Sequence, residues 1–99
     1  MDVVPPACVG EYTGSFIGNA FGGYASGVLT EAGRLSITFM PPPPSPAVLG
    51  AASVDRDGVV TEMPAAILQI DGQMLWSECR GSGVWRIDTE SGTWMLRHS

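Results

Sequence analysis

Arg34-Leu35-Ser36-Ile37-Thr38-Phe39-Met40 alternates without a break: Leu35, Ile37 and Phe39 point one way, Arg34, Ser36 and Thr38 the other. Period-two alternation marks a strand with one buried and one wet face. Glu31-Ala32-Gly33 precedes it as a turn, and residues 22–30 form the run before that. Folding the two runs about this three-residue loop pairs Leu29 with Leu35, Gly27 with Ile37 and Ala25 with Phe39. Small residues then face large ones, which is how a curved sheet fills its interior without overpacking.

The same texture extends in both directions. Residues 9–17 read as a strand with Tyr12, Gly14 and Phe16 on one face, closed by a turn at Gly18-Asn19-Ala20. On the other side, Pro41-Pro42-Pro43-Pro44-Ser45-Pro46 cannot donate ladder hydrogen bonds. No basic residue flanks this run, so residues 41–46 read as a stiff connector in preference to a docking motif for a proline-binding domain. Residues 47–54 and 59–63 flank the turn Asp55-Arg56-Asp57-Gly58. Residues 66–70 and 73–79 flank Asp71-Gly72, a strong hairpin signal. Residues 83–88 and 93–97 flank Thr89-Glu90-Ser91-Gly92, a register that sets Trp85 opposite Leu96 and Ile87 opposite Trp94. Helical turns are conceivable only at residues 47–52 and 64–69.

Ser26-Gly27-Val28-Leu29, Ser82-Gly83-Val84-Trp85 and Ser91-Gly92-Thr93-Trp94 echo one another. No fixed period holds, so the echo reads as recurrent hairpin chemistry and not as a solenoid or propeller repeat. About eight short strands with regular turn signals predict one all-β domain over residues 1–99, an antiparallel up-and-down barrel or a two-sheet sandwich. Residues 1–7 are expected to fray. The opening Gly10-Glu11-Tyr12-Thr13-Gly14 and the closing Ser91-Gly92-Thr93-Trp94 loosely resemble, in texture alone, small barrel domains of bacterial envelope proteins. No motif accompanies that resemblance, and no site is carried over from it.

Composition narrows the chemistry. The chain has 99 residues, 44% apolar and 15% charged, so it has room for one core and no strong bias toward disorder. Ten carboxylates stand against five arginines and no lysine, a net charge of −5. That balance argues against nucleic-acid phosphates and anionic membrane surfaces as partners. No run approaches the roughly 20 apolar residues that span a bilayer. The start, Met1-Asp2-Val3-Val4-Pro5-Pro6, lacks the cationic and apolar regions of a signal peptide.

Cys8 and Cys79 carry the question of compartment. In an oxidising environment they could form a disulfide worth about 4 to 5 kcal/mol in the chain-entropy model; in the cytosol they would be small buried hydrophobes. Each lies beside a Gly-containing strand end, which favours the bridge and a periplasmic or other extracytoplasmic home. With no CxxC and no clustered histidine, neither a zinc site nor any other metal or cofactor is expected.

Catalytic groups are scarce. His98 is the one histidine and stands at a terminus expected to fray. Without lysine there is no Schiff-base chemistry. Asp55-Arg56-Asp57-Gly58 resembles the opening of a calcium loop, but the twelfth position is Ala66 where a glutamate is needed. Glu62 and Glu78 would serve glycoside hydrolysis only at a separation the sequence does not set. A non-enzymatic interaction module is the leading expectation, using an exposed apolar strip near Met74 and Trp76 or a sheet edge to bind a protein partner or to self-associate. Tyr12, Tyr24, Met74 and Trp76 are its candidate binding residues. Ile67, Met74 and Trp76 fall on one side of the Asp71-Gly72 hairpin and Leu68, Ile70 and Leu75 on the other, so a second layer is expected to cover it. An acidic inhibitor or immunity-type protein blocking a basic surface is the alternative. A small-ligand carrier with an internal cavity is the third.

Overall fold

Eight antiparallel strands close into an up-and-down barrel in the computed structural model, which describes residues 3–19, 22–42, 46–63, 67–88 and 90–99. The strands are β1 (Gly10–Gly18), β2 (Gly22–Leu29), β3 (Arg34–Met40), β4 (Val48–Val54), β5 (Val59–Glu62), β6 (Gln69–Leu75), β7 (Arg80–Ile87) and β8 (Glu90–His98). Each pairs with the next, and β1 pairs with β8 to close the ring. The choice between barrel and sandwich is thereby decided. The expected β2–β3 register is observed, with Leu29 opposite Leu35, Gly27 opposite Ile37 and Ala25 opposite Phe39. Its turn closes through Gly33, whose φ of +88° only glycine adopts without strain.

Inward positions are apolar throughout. Phe16 and Phe39 stack with centroids 4.2 Å apart, and Trp85 meets both rings edge-on. The two tryptophans of the last hairpin explain its register. Trp85 faces Gly92 across the ladder, and Trp94 faces Gly83. The Trp85 indole extends over Gly92 to Gly18 on β1, where an added Cβ would stand 2.5 Å from its Cζ2. The Trp94 indole extends the other way, over Gly83 to Gly72 on β6, where an added Cβ would stand 2.8 Å from its Cζ2. Each Nε1 donates to two carbonyls there: Trp85 to Ile17 and Thr93, both at 3.1 Å, and Trp94 to Asp71 and Val84, at 3.2 and 3.1 Å. The Ser-Gly-x-Trp echo is thus reciprocal, each copy supplying the glycine that seats the other's tryptophan.

Two sequence expectations are corrected by this arrangement. The last hairpin pairs Ile87 with Glu90 and Trp85 with Gly92, not Trp85 with Leu96 or Ile87 with Trp94. Asp88 takes a φ of 54°, so the chain reverses at once instead of over residues 89–92. The slip is even, so the expected faces survive. Asp71-Gly72 is not a turn either: both lie within β6, where Gly72 makes room for Trp94. Residues 68, 70, 72 and 74 then all point inward, which buries Leu68, Ile70 and Met74 and leaves Ile67 and Leu75 outside. The β6–β7 reversal occurs instead at residues 76–79.

The end of the barrel that holds the 30–33, 55–58 and 76–79 turns is closed by residues 3–9. From Val3 onward, the segment expected to fray is held in place: the Val3 and Val4 amides donate to the Glu31 carbonyl, and Val4 is buried. Cys8 and Cys79 are joined as a disulfide with S–S 2.05 Å, as their placement favoured. His98 is not frayed, because its amide bonds the Cys79 carbonyl and its ring packs edge-on to Tyr12. Residues 47–52 are strand from Val48 onward, without the helical turn considered for them. Met1, Asp2, residues 43–45 of the proline run and residues 64–66 lie outside the described residues.

Gly72→Val should lower stability by at least about 2 kcal/mol, because the new side chain collides with the Trp94 ring and with backbone. A denaturant midpoint unchanged from the wild type would refute this seating. Replacing both cysteines by serine should cost about 2–4 kcal/mol. Chemical denaturation of that variant should match the wild type measured in reductant.

Candidate functional site

Alternation places Tyr12 and Met74 inside the barrel, 1% and 2% exposed. Tyr12 donates its hydroxyl to the Cys8 carbonyl at 2.5 Å, and burial pushes its phenol above the ordinary value. Trp76 stands half-buried in the 76–79 turn, where its Nε1 donates to the Arg56 carbonyl at 2.9 Å. An exposed strip around Met74 and Trp76 is therefore not what the fold presents, because β6 runs unbroken through Asp71-Gly72 and turns Met74 inward. Tyr24 is different: it stands on the outer face of β2, 76% exposed.

Around Tyr24 the barrel wall assembles a face that no single stretch of sequence displays. Closure of β1 against β8 sets Val84, Thr93 and Ile17 side by side in one row across β7, β8 and β1. The adjacent row runs Ser82, Met95, Ser15, Tyr24 and Met40 across five strands, from β7 to β3. Large apolar groups alternate there with small hydroxyls, and neither row contains a charge. Ile17, Met95 and Val84 are each more than half exposed. Outward orientation of Val84 and Met95 follows from their neighbours Trp85 and Trp94 pointing in. What the sequence could not show is that Ile17 and Tyr24, some 70 residues away, lie beside them.

Arginines border this face. Arg86, opposite Ser91, bounds it on one side, and Arg80, directly opposite Arg97, bounds it on the other. Three of the five arginines in the chain thus flank one surface. Four of the ten carboxylates, Glu31, Asp55, Asp57 and Glu78, lie on turns of the closed end, while Asp71 on β6 stands opposite Val84 and bounds the row of Val84, Thr93 and Ile17 on the β6 side. Asp55 is committed to structure, its Oδ1 accepting the Asp57 and Val59 amides at 2.9 Å each, so Asp55-Arg56-Asp57-Gly58 is a capped turn. Gly58 completes it with a φ of +83°. Glu78 pairs with Arg80 at 3.3 Å. Glu62 ends β5 at the opposite end from the turn carrying Glu78, so the barrel does not gather those two backbone positions. His98 donates from Nε2 to the Val9 carbonyl at 2.9 Å.

No protein-family model, curated protein or solved structure matches the chain.

Tyr12 sets a measurable pH response. Its folded pKa is raised above that of the unfolded chain, so its contribution is complete below about pH 10 and is lost as pH rises through the folded value. Urea midpoints between pH 8 and 11 should fall more steeply for the wild type than for Tyr12→Phe. At pH 8 that variant should be less stable by about 1 kcal/mol for the lost hydrogen bond.

Proposed function

We propose that this chain is a non-catalytic protein-binding module that docks its partner on the outer wall formed by β7, β8, β1 and β2. The observation that carries the reading is the charge-free face around Ile17, Tyr24, Val84 and Met95. A water-exposed barrel wall gains nothing for its own fold by leaving four large apolar side chains more than half exposed side by side. Exposed aromatic and methionine side chains between small hydroxyls are the composition of a contact surface.

Other features support the same reading. The interior is filled by Tyr12, Phe16, Phe39, Trp85 and Trp94, which counts against a carrier with a ligand cavity. The Cys8–Cys79 bond favours an oxidising compartment. The barrel is apolar inside and carries Arg34, Arg80, Arg86 and Arg97 outside, the reverse of the polarity a barrel needs in lipid. Against an enzymatic role stands His98, whose Nε2 is held by a carbonyl. The inhibitor reading keeps one specific observation, the carboxylates on three turns of the closed end. It requires capture of a basic partner that weakens steeply with salt.

The test is a triple variant, Ile17→Ser/Tyr24→Ser/Met95→Ser, compared with Leu49→Ser, which removes an equally exposed side chain outside the two rows. Quantitative capture from a native extract should fall about tenfold or more for the triple variant and stay at wild-type level for Leu49→Ser. Equal capture by all three proteins would refute the docking face. Sedimentation of the isolated protein supplies the corresponding measurement for self-association.

A further inference from the structure

Arg80 and Arg97 occupy directly opposed positions on β7 and β8, where like charges disfavour pairing. The chain has only five arginines and ten carboxylates, so juxtaposing two arginines is a local conflict that its composition makes easy to avoid. Their neutralisation is incomplete. Arg80 reaches Glu78 in an exposed contact at 3.3 Å, and among the described residues Arg97 has no ion pair. Both arginines line the same surface groove, about 250 Å³ in volume, together with Thr13, Ser15 and Met95. Met95 and Ser15 belong to the charge-free face, so the groove continues it.

We propose that Arg80 and Arg97 form a carboxylate-binding subsite at the border of the docking face, and that the partner there is a different protein presenting an acidic side chain beside apolar ones. The proposal deepens the docking reading and rests on it. Guanidinium forks match a carboxylate with paired, charge-assisted hydrogen bonds, and the Thr13 and Ser15 hydroxyls add donors in the same groove. One carboxylate resolves the Arg–Arg conflict. A polyanion such as a nucleic acid would meet the repulsion of a chain with net charge −5. A second copy would bring the same net charge against itself, whereas an acidic group confined to the arginine border is attracted locally.

The test uses glutarate as the probe and glutaramide as its neutral counterpart, at fixed ionic strength, on the full chain labelled with 15N. The Arg80 and Arg97 Nε–H resonances should shift saturably with glutarate and not with glutaramide. Arg97→Gln should weaken the apparent affinity about tenfold while the remaining amide spectrum is preserved. Glutarate shifts equal to those of chloride, or unaffected by Arg97→Gln, would overturn the subsite. The serine triple variant separates the two readings. If glutarate still binds but that variant captures partner normally, the docking face fails and the subsite stands. If capture is lost in that variant but glutarate does not bind the wild type, the subsite alone fails. Self-association reversed by glutarate would overturn the assignment to a different protein and put a second copy in its place.

Discussion

Each tryptophan of the β7–β8 hairpin rests on a pair of glycines that face one another across neighbouring strands: Trp85 on Gly92 and Gly18, Trp94 on Gly83 and Gly72. Much else follows from this exchange. Indoles lying along the inner wall fill the barrel, and their Nε1 groups find backbone carbonyl acceptors there. The seats fall on β6, β7, β8 and β1, so the interlock also joins the first strand to the last. Strand closure and core filling are here one event, and the apolar wall outside those four strands inherits its register from it.

Legibility in the sequence followed the range of the interaction. Alternation in residues 34–40 and the size match across the Glu31-Gly33 turn gave the β2–β3 register pair for pair, because a hairpin is local and Leu35, Ile37 and Phe39 have one obvious set of small partners. The same reasoning failed at Asp71-Gly72, where the demand for a glycine came from Trp94, more than 20 residues away. It failed again at the last hairpin, since a tight reversal at Asp88 competes with the Ser91-Gly92 turn signal and only the tryptophan seats decide between them. Tyr24 could be suspected from its position on a strand face. Its companions Ile17, Val84 and Met95 became neighbours only through β1–β8 closure, which no local pattern encodes.

The closed end shows a second dependence. Tyr12 hydrogen-bonds the Cys8 carbonyl, Cys8 is bonded to Cys79, and Cys79 accepts the His98 amide, so the segment before β1, the β6–β7 turn and the end of the last strand share one network. Cys79 holds a φ of 48°, an unfavoured geometry for a residue with a Cβ. At the same end Val4, held by the Glu31 carbonyl, is buried as a plug in that mouth of the barrel.

Hydrogen bonding around the ring is uneven. Among the described residues, β1, β7 and β8 are zipped to their neighbours over seven or eight register pairs, whereas β5 meets β4 over three and β6 over two. Local opening should therefore concentrate at β5, while the wall bearing Ile17, Val84 and Met95 stays rigid. A surface already fixed before contact loses little conformational freedom when it is covered, so the entropic cost of covering this wall would be small.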